Sequence, residues 1–164
     1  MSLLGWGLCK VFIKDLDETD GKWTELPTPV ENSTILETTK GDKKEAKVEG
    51  GENEDVSYAK STYALNLTIR AAKGRAKPIK DFDGLVDHNY AVAVQAEDPA
   101  AYGLMIDKAK PSVMDTWSTE DGGQWEYTFD ALKPESGTQC KLGAVTVTYE
   151  NDGKTIKDVT IIEA

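Results

Sequence analysis

The sequence predicts a mainly β domain: an antiparallel β-sandwich or small barrel with one short flanking α-helix and a long projecting loop or hairpin. Three observations carry this. Ser61 to Ala71 alternates, with Tyr63, Leu65, Leu67 and Ile69 on one side and Thr62, Asn66, Thr68 and Arg70 on the other, the mark of a half-buried strand. Further short apolar or alternating runs are separated by glycine-containing turns. A single segment has a helical period: Ile79, Phe82 and Val86, with Leu85 beside them, fall on one face of a helix spanning about Ile79 to His88.

Taken in order, Leu8 to Ile13 reads as the first strand, behind a lead carrying Gly5-Trp6-Gly7. Asp20-Gly21 is a hairpin signal, after which Lys22 to Leu26 alternates again. Pro27-Thr28-Pro29 breaks regular structure before a strand at Thr34 to Thr39. In the expected helix, Pro78 suits the first turn, Asp81 and Asp83 suit the positive end of the helix dipole, and Gly84 costs about 1 kcal/mol. Tyr90 to Gln95 is a buried-type strand. Leu104 to Ile106 and Ser112 to Trp117 read as two short strands around Pro111. Glu120 to Gly123 turns the chain into Gln124 to Ala131, where Trp125, Tyr127 and Phe129 share a face. Val145, Val147 and Tyr149 share a face of the next strand, Asn151-Asp152-Gly153 turns it, and Thr155 to Ile162 closes the chain.

Between the strands at Thr34 to Thr39 and Ser61 to Ala71 lies a charged segment with little that a core would want. It holds Lys40, Asp42, Lys43, Lys44, Glu45, Lys47, Glu49, Gly50, Gly51, Glu52, Glu54 and Asp55. Connections this long are functional or disordered more often than structural. One reading is a solvated flexible loop. The other is an arm, about residues 40–56, that orders against another copy of the protein.

The 164 residues fit one domain able to bury a core without disulfides or metal. A formal net charge of -10 argues against tight binding to a phosphate backbone and suits a surface that repels nucleic acid. Cys9 and Cys140 form no disulfide framework, and a bridge between them stays open. The first residues lack a basic leader and a continuous apolar stretch, and no apolar run approaches membrane-spanning length, so a reducing cytoplasm is the expected place of folding.

Catalytic and metal signatures are absent from the sequence. Counted as a calcium loop from Asp15, position 6 is Asp20 where glycine is needed and position 12 is Leu26 where glutamate closes the site, so an acidic hairpin tip is the reading. His88 is the one histidine, placed to cap the expected helix. Zinc spacing, a nucleophile elbow and a phosphate-binding glycine loop are all lacking. Carboxylates are abundant, which makes any one pair uninformative. The chain therefore reads as a non-enzyme with no cofactor.

Arg70, Lys73, Arg75, Lys77 and Lys80 form the one basic cluster. It reads as nucleic-acid contact, though without interleaved aromatics; as the complement of an acidic edge on a second copy; or as a solvated connection.

The sequence resembles the tail tube (major tail) proteins of long-tailed bacteriophages, especially those of prophages in gut Bacteroidetes. The residues that carry the resemblance are Pro29 to Thr34, Lys40 to Glu52, Asp83 to Glu97 and Thr116 to Pro134, the last centred on Asp121 to Tyr127. The resemblance implies a fold shared with the tube protein of type VI secretion systems. It implies hexameric rings stacked into a hollow tube that conducts DNA without binding it specifically. It implies a place in the virion tail, assembled in the host cytoplasm, beside a tape measure, sheath or terminator protein. On this chain, Lys40 to Asp55 would be the stacking arm, and Thr34 to Thr39 with Ser61 to Ala71 the candidate channel wall. The short N-terminal lead departs from the pattern, which leaves open whether Ser2 to Gly7 takes part in stacking. An acidic channel would repel phosphates along its length, and ring closure would pair open strand edges. The arm is expected to stay disordered until stacking. Rival readings are a carbohydrate- or surface-binding β-sandwich and another tail component such as a terminator.

Overall fold

The computed structural model describes residues 7–163. The Gly5-Trp6 part of the expected lead, and a stacking role for residues 2–6, lie outside the described residues. Within them the chain forms strands and no helix: β1 (Lys10–Asp15), β2 (Trp23–Glu25), β3 (Ile35–Thr39), β4 (Lys43–Lys47), β5 (Asn53–Tyr58), β6 (Thr62–Arg70), β7 (Tyr90–Gln95), β8 (Gly103–Ser118), β9 (Gly122–Ala131), β10 (Cys140–Tyr149) and β11 (Ile156–Glu163).

The alternation of β6 places Leu65, Leu67 and Ile69 inside, fully buried, as the period of two requires. Beside it in β9, Tyr127 and Phe129 are buried on the same side, their rings stacked with centroids 6.3 Å apart. A nine-stranded antiparallel sheet runs β2-β1-β7-β8-β9-β6-β3 and curls into a half-barrel. It forks at β8, whose first residues pair with both β7 and β10 while Ala109 to Ser118 pair with β9. The β10–β11 hairpin branches from the fork.

β1 and β7 do not alternate, because both of their faces are covered. Val11 and Ile13 of β1, with Val92 and Val94 of β7, join the half-barrel interior alongside Leu65, Ile106 and Phe129. Phe12, Ala91 and Ala93 point the other way and pack with Trp23 against Val145, Ile156 and Val159 of the β10–β11 hairpin. Both cysteines are free. Cys9 packs against the interior cluster that contains Cys140, where burial pushes the Cys140 thiol up to about 11 and keeps it protonated.

Two expectations are corrected. Leu104 to Ile106 and Ser112 to Trp117 are one strand of sixteen residues. Pro111 is tolerated inside it because β7 has ended at the Tyr90–Ala109 pair, leaving that edge of β8 without a ladder for the missing N–H to serve.

The flanking helix at Ile79 to His88 does not form. Asp83 and Gly84 both have positive φ, 50° and 86°, which no right-handed helix accommodates. They form a tight turn between Phe82 and Leu85, whose backbones bond to each other, and the Asp81 carboxylate accepts the Gly84 N–H at 2.8 Å. Ile79 and Val86 are buried while Phe82 and Leu85 are exposed, so the four do not share a face. The segment instead closes the half-barrel by inserting Ile79, and Leu85 adds a bridge to Ser112.

The turn predicts an informative sign. In a helix, Gly84→Ala would stabilise by about 1 kcal/mol. Here a Cβ would stand 2.8 Å from the Val113 carbonyl oxygen at positive φ, so the substitution is expected to cost about 1–3 kcal/mol in a urea titration.

Candidate functional site

β4 and β5 pair with each other and with no other strand among the described residues. Every residue of β4 is exposed, and in β5 all but Val56. Their register nevertheless belongs to the body. Leu36 faces Leu65 and Thr39 faces Thr62 in β3–β6; continued outward without gaining or losing a residue, that pairing arrives at Lys43 facing Tyr58 and Glu45 facing Val56. The Ala59 N–H bonds the Asp42 carbonyl at 2.9 Å across the interruption. At Gly41 the strands approach so closely that a Cβ would collide with the Ala59 carbonyl. The arm is thus a two-stranded β-ribbon that carries the β3–β6 register outward.

The ribbon is held by its ladder and by weak surface contacts. Glu45 sits between Lys43 and Lys47 on one face of β4, pairs worth about 0–1 kcal/mol in this exposure. The Lys40 ammonium lies 4.7 Å from the centre of the Tyr58 ring. Gly50 and Gly51, at φ 94° and 85°, make the tip, closed by the Val48 N–H to the Glu52 carbonyl at 3.0 Å. Charge is graded along the arm: Lys40, Lys43, Lys44 and Lys47 lie on the outgoing side, whereas Glu49, Glu52, Glu54 and Asp55 crowd the tip and the start of β5. Asp42 sits at the base.

The basic cluster lies beyond the other end of β6. Arg70 is the last residue of that strand, and its carbonyl accepts the Arg75 guanidinium at 2.8 Å. Lys73, Arg75 and Lys80 are exposed. Lys77 is not available to a partner: its ammonium is bound by Asp81 and, at 2.7 Å, by Asp115. Burial opposes its charge, yet the bonds from Asp115 and Asp81 outweigh this and raise its pKa. The structure brings Trp117 to the same end, 75% exposed, because Trp117 faces Gly123 and the Gly123 carbonyl accepts the Ala71 N–H. An exposed aromatic thus shares the cluster's end of the sheet, on the face opposite Arg70. It lies far along the chain from Arg70, in a different strand, so local spacing did not reveal it.

A groove of about 760 Å³ opens where β1 begins and β7 ends, lined by Leu8, Cys9, Val30, Leu36, Leu104 and Leu142, with Glu31 and Tyr102 among its few ionisable groups. Among the described residues no group of three or more His, Cys, Asp or Glu side chains could hold a metal ion. Of the candidate wall strands, β3 is an end strand with an open edge, while β6 is flanked by β3 and β9.

His88 caps no helix. Its Nδ1 lies 2.8 Å from Asp15 Oδ2, and the Asn89 N–H bonds the Asp17 carboxylate at 2.7 Å, so the acidic loop after β1 latches the segment that closes the barrel.

Compared with known proteins, the chain matches no family model and no curated relative.

Two outcomes are expected. Replacing residues 43–58 with a short Asn-Gly turn is expected to change unfolding free energy by less than about 0.5 kcal/mol, as measured by urea titration, since the ribbon buries no core. The Asp15 carboxylate raises the His88 pKa above its ordinary 6.5. For Asp15, burial opposes ionisation, but the bonds from His88 and the Asp17 N–H prevail and lower its pKa below 3.8. The pair's stabilisation is therefore full between those two values. It fades as pH rises through the raised histidine pKa or falls through the lowered carboxylate pKa. An NMR titration of the single histidine should find its pKa raised in the wild type and returned toward 6.5 by Asp15→Asn.

Proposed function

We propose that this chain is a structural subunit that works by self-assembly, and that the assembly is of the tail-tube kind its sequence resembles: rings stacked into a hollow, DNA-conducting tube. The observation that carries the reading is the ribbon. A β-ribbon held in register with the body, with no core of its own and both faces in water, is of little use to a lone domain and fits a subunit that completes its burial against another copy. Two further features favour it. β2, β3 and β11 each pair with one strand only and end the branches of the sheet, leaving edges available to neighbouring copies in a closed ring. The net charge of -10 suits a conduit whose wall repels phosphates.

Light scattering after size exclusion, followed by negative-stain imaging at high protein concentration, tests this. Rings or tubes are expected from the wild type, and single subunits from the chain lacking residues 43–58. A wild type that stays monomeric at every concentration and binds glycans would replace this reading with that of a carbohydrate-binding sandwich.

A further inference from the structure

Resting on the self-assembly reading above, we propose that the acidic tip of the ribbon seats on the basic end of β6 in a second copy of the chain, making a head-to-tail contact.

The geometry comes from the register, which the ribbon shares with the body as far as the Ala46–Asp55 pair before a one-residue bulge at Lys47. The tip, at Val48 to Glu52, is the outermost point of the ribbon that β3 and β6 begin. Arg70 ends β6 in the opposite direction, and Lys73 and Arg75 lie in the turn beyond it. From Asn53 to Arg70 the chain through the ribbon strand and β6 spans at most roughly 55 Å, at about 3.3 Å per residue. The two patches therefore lie at opposite ends of one long element. The tip lies at the other end of that element from its own basic end. It can reach that of the next copy, and because the surfaces differ, the contact repeats without closing on itself as a pair.

The chemistry of the two ends matches. Glu49, Glu52, Glu54 and Asp55 are all exposed, and among the described residues none is in an ion pair. Val48, 45% exposed, stands among them. At the far end, Arg70, Lys73 and Arg75 are likewise exposed and outside every ion pair among the described residues; Trp117, 75% exposed, lies at the same end of the sheet, on the face opposite Arg70. An acidic end with an exposed apolar residue thus meets a basic end that also exposes an indole, so charge complementarity is joined by apolar surface at both ends. Lys77 takes no part, since Asp81 and Asp115 already bind it. A basic patch with an exposed indole also suits single-stranded nucleic acid. The chain's strong net negative charge and its own complementary tip favour a second copy.

Charge reversal at each end gives the test. One variant carries Glu49→Lys, Glu52→Lys and Glu54→Lys. The other carries Arg70→Glu, Lys73→Glu and Arg75→Glu. Circular dichroism and urea midpoints are compared with wild type so that only folded variants are scored. Each variant alone is expected to need at least about tenfold more protein to assemble at low salt, because like charges now meet at the contact. An equimolar mixture is expected to assemble again, since each reversed end then meets its complement, and the chain carrying all six changes should assemble alone. If wild type assembles and the tip-reversed variant assembles equally well, or the mixture stays apart, this contact is wrong while self-assembly stands. If wild type does not assemble at all, both fall. Binding of a single-stranded oligonucleotide by wild type, lost on reversal of the basic end and without association between chains, would assign that end to nucleic acid instead.

Discussion

β8 belongs to two ladders at once, and the architecture depends on that constraint. Its opening residues are hydrogen-bonded on both edges, by β7 and β10, whereas its later half is paired along one edge by β9. Because a strand has only two edges, β9 and β10 must share the same side of β8 at different heights. The sheet therefore forks, and the β10–β11 branch folds over the face of β1 and β7 that the half-barrel leaves bare. This is why Phe12, Ala91 and Ala93 are as deeply buried as Val11 and Val92, which face the other way. It also explains the closing segment. The edge of β8 abandoned by β7 would expose the barrel end, and residues 72–89 cover it, with Ile79 inserted and Leu85 bridging Ser112.

The strands that alternate were readable from sequence because period two is a local property. Leu65, Leu67 and Ile69 in β6, and Tyr127 and Phe129 in β9, are buried as their spacing requires. Tyr90 to Gln95 was also legible, since a short unbroken apolar run fits a strand covered on both faces. The helix failed for a reason present in the sequence. Asp83-Gly84 is the same kind of dipeptide that marks hairpin turns elsewhere in the chain, and its demand for positive φ outweighs apolar spacing over so short a segment. Pro111 misled in the opposite direction. Proline interrupts a strand only where its edge is needed for pairing, and which edge is free depends on where β7 stops.

For the candidate site, the charged arm was legible as something the core does not use, and the basic cluster as the one concentration of positive charge. Their relation was not. That Arg70 and Glu49 lie at opposite ends of a single ribbon follows from the pairing of β3 with β6 and of β4 with β5. The arrival of Trp117 at the same end of the sheet as Arg70, and the withdrawal of Lys77 by Asp81 and Asp115, depend on pairings that only the fold sets.

The shared register has an evolutionary corollary. Side chains on a strand repeat every second residue, so lengthening the ribbon by two residues in each strand moves the tip outward by about 7 Å and restores the same face toward its target. Adding a single residue to each strand turns every outer side chain over. Divergence can therefore tune the spacing between successive subunits in discrete increments, with the body of the domain left as it is.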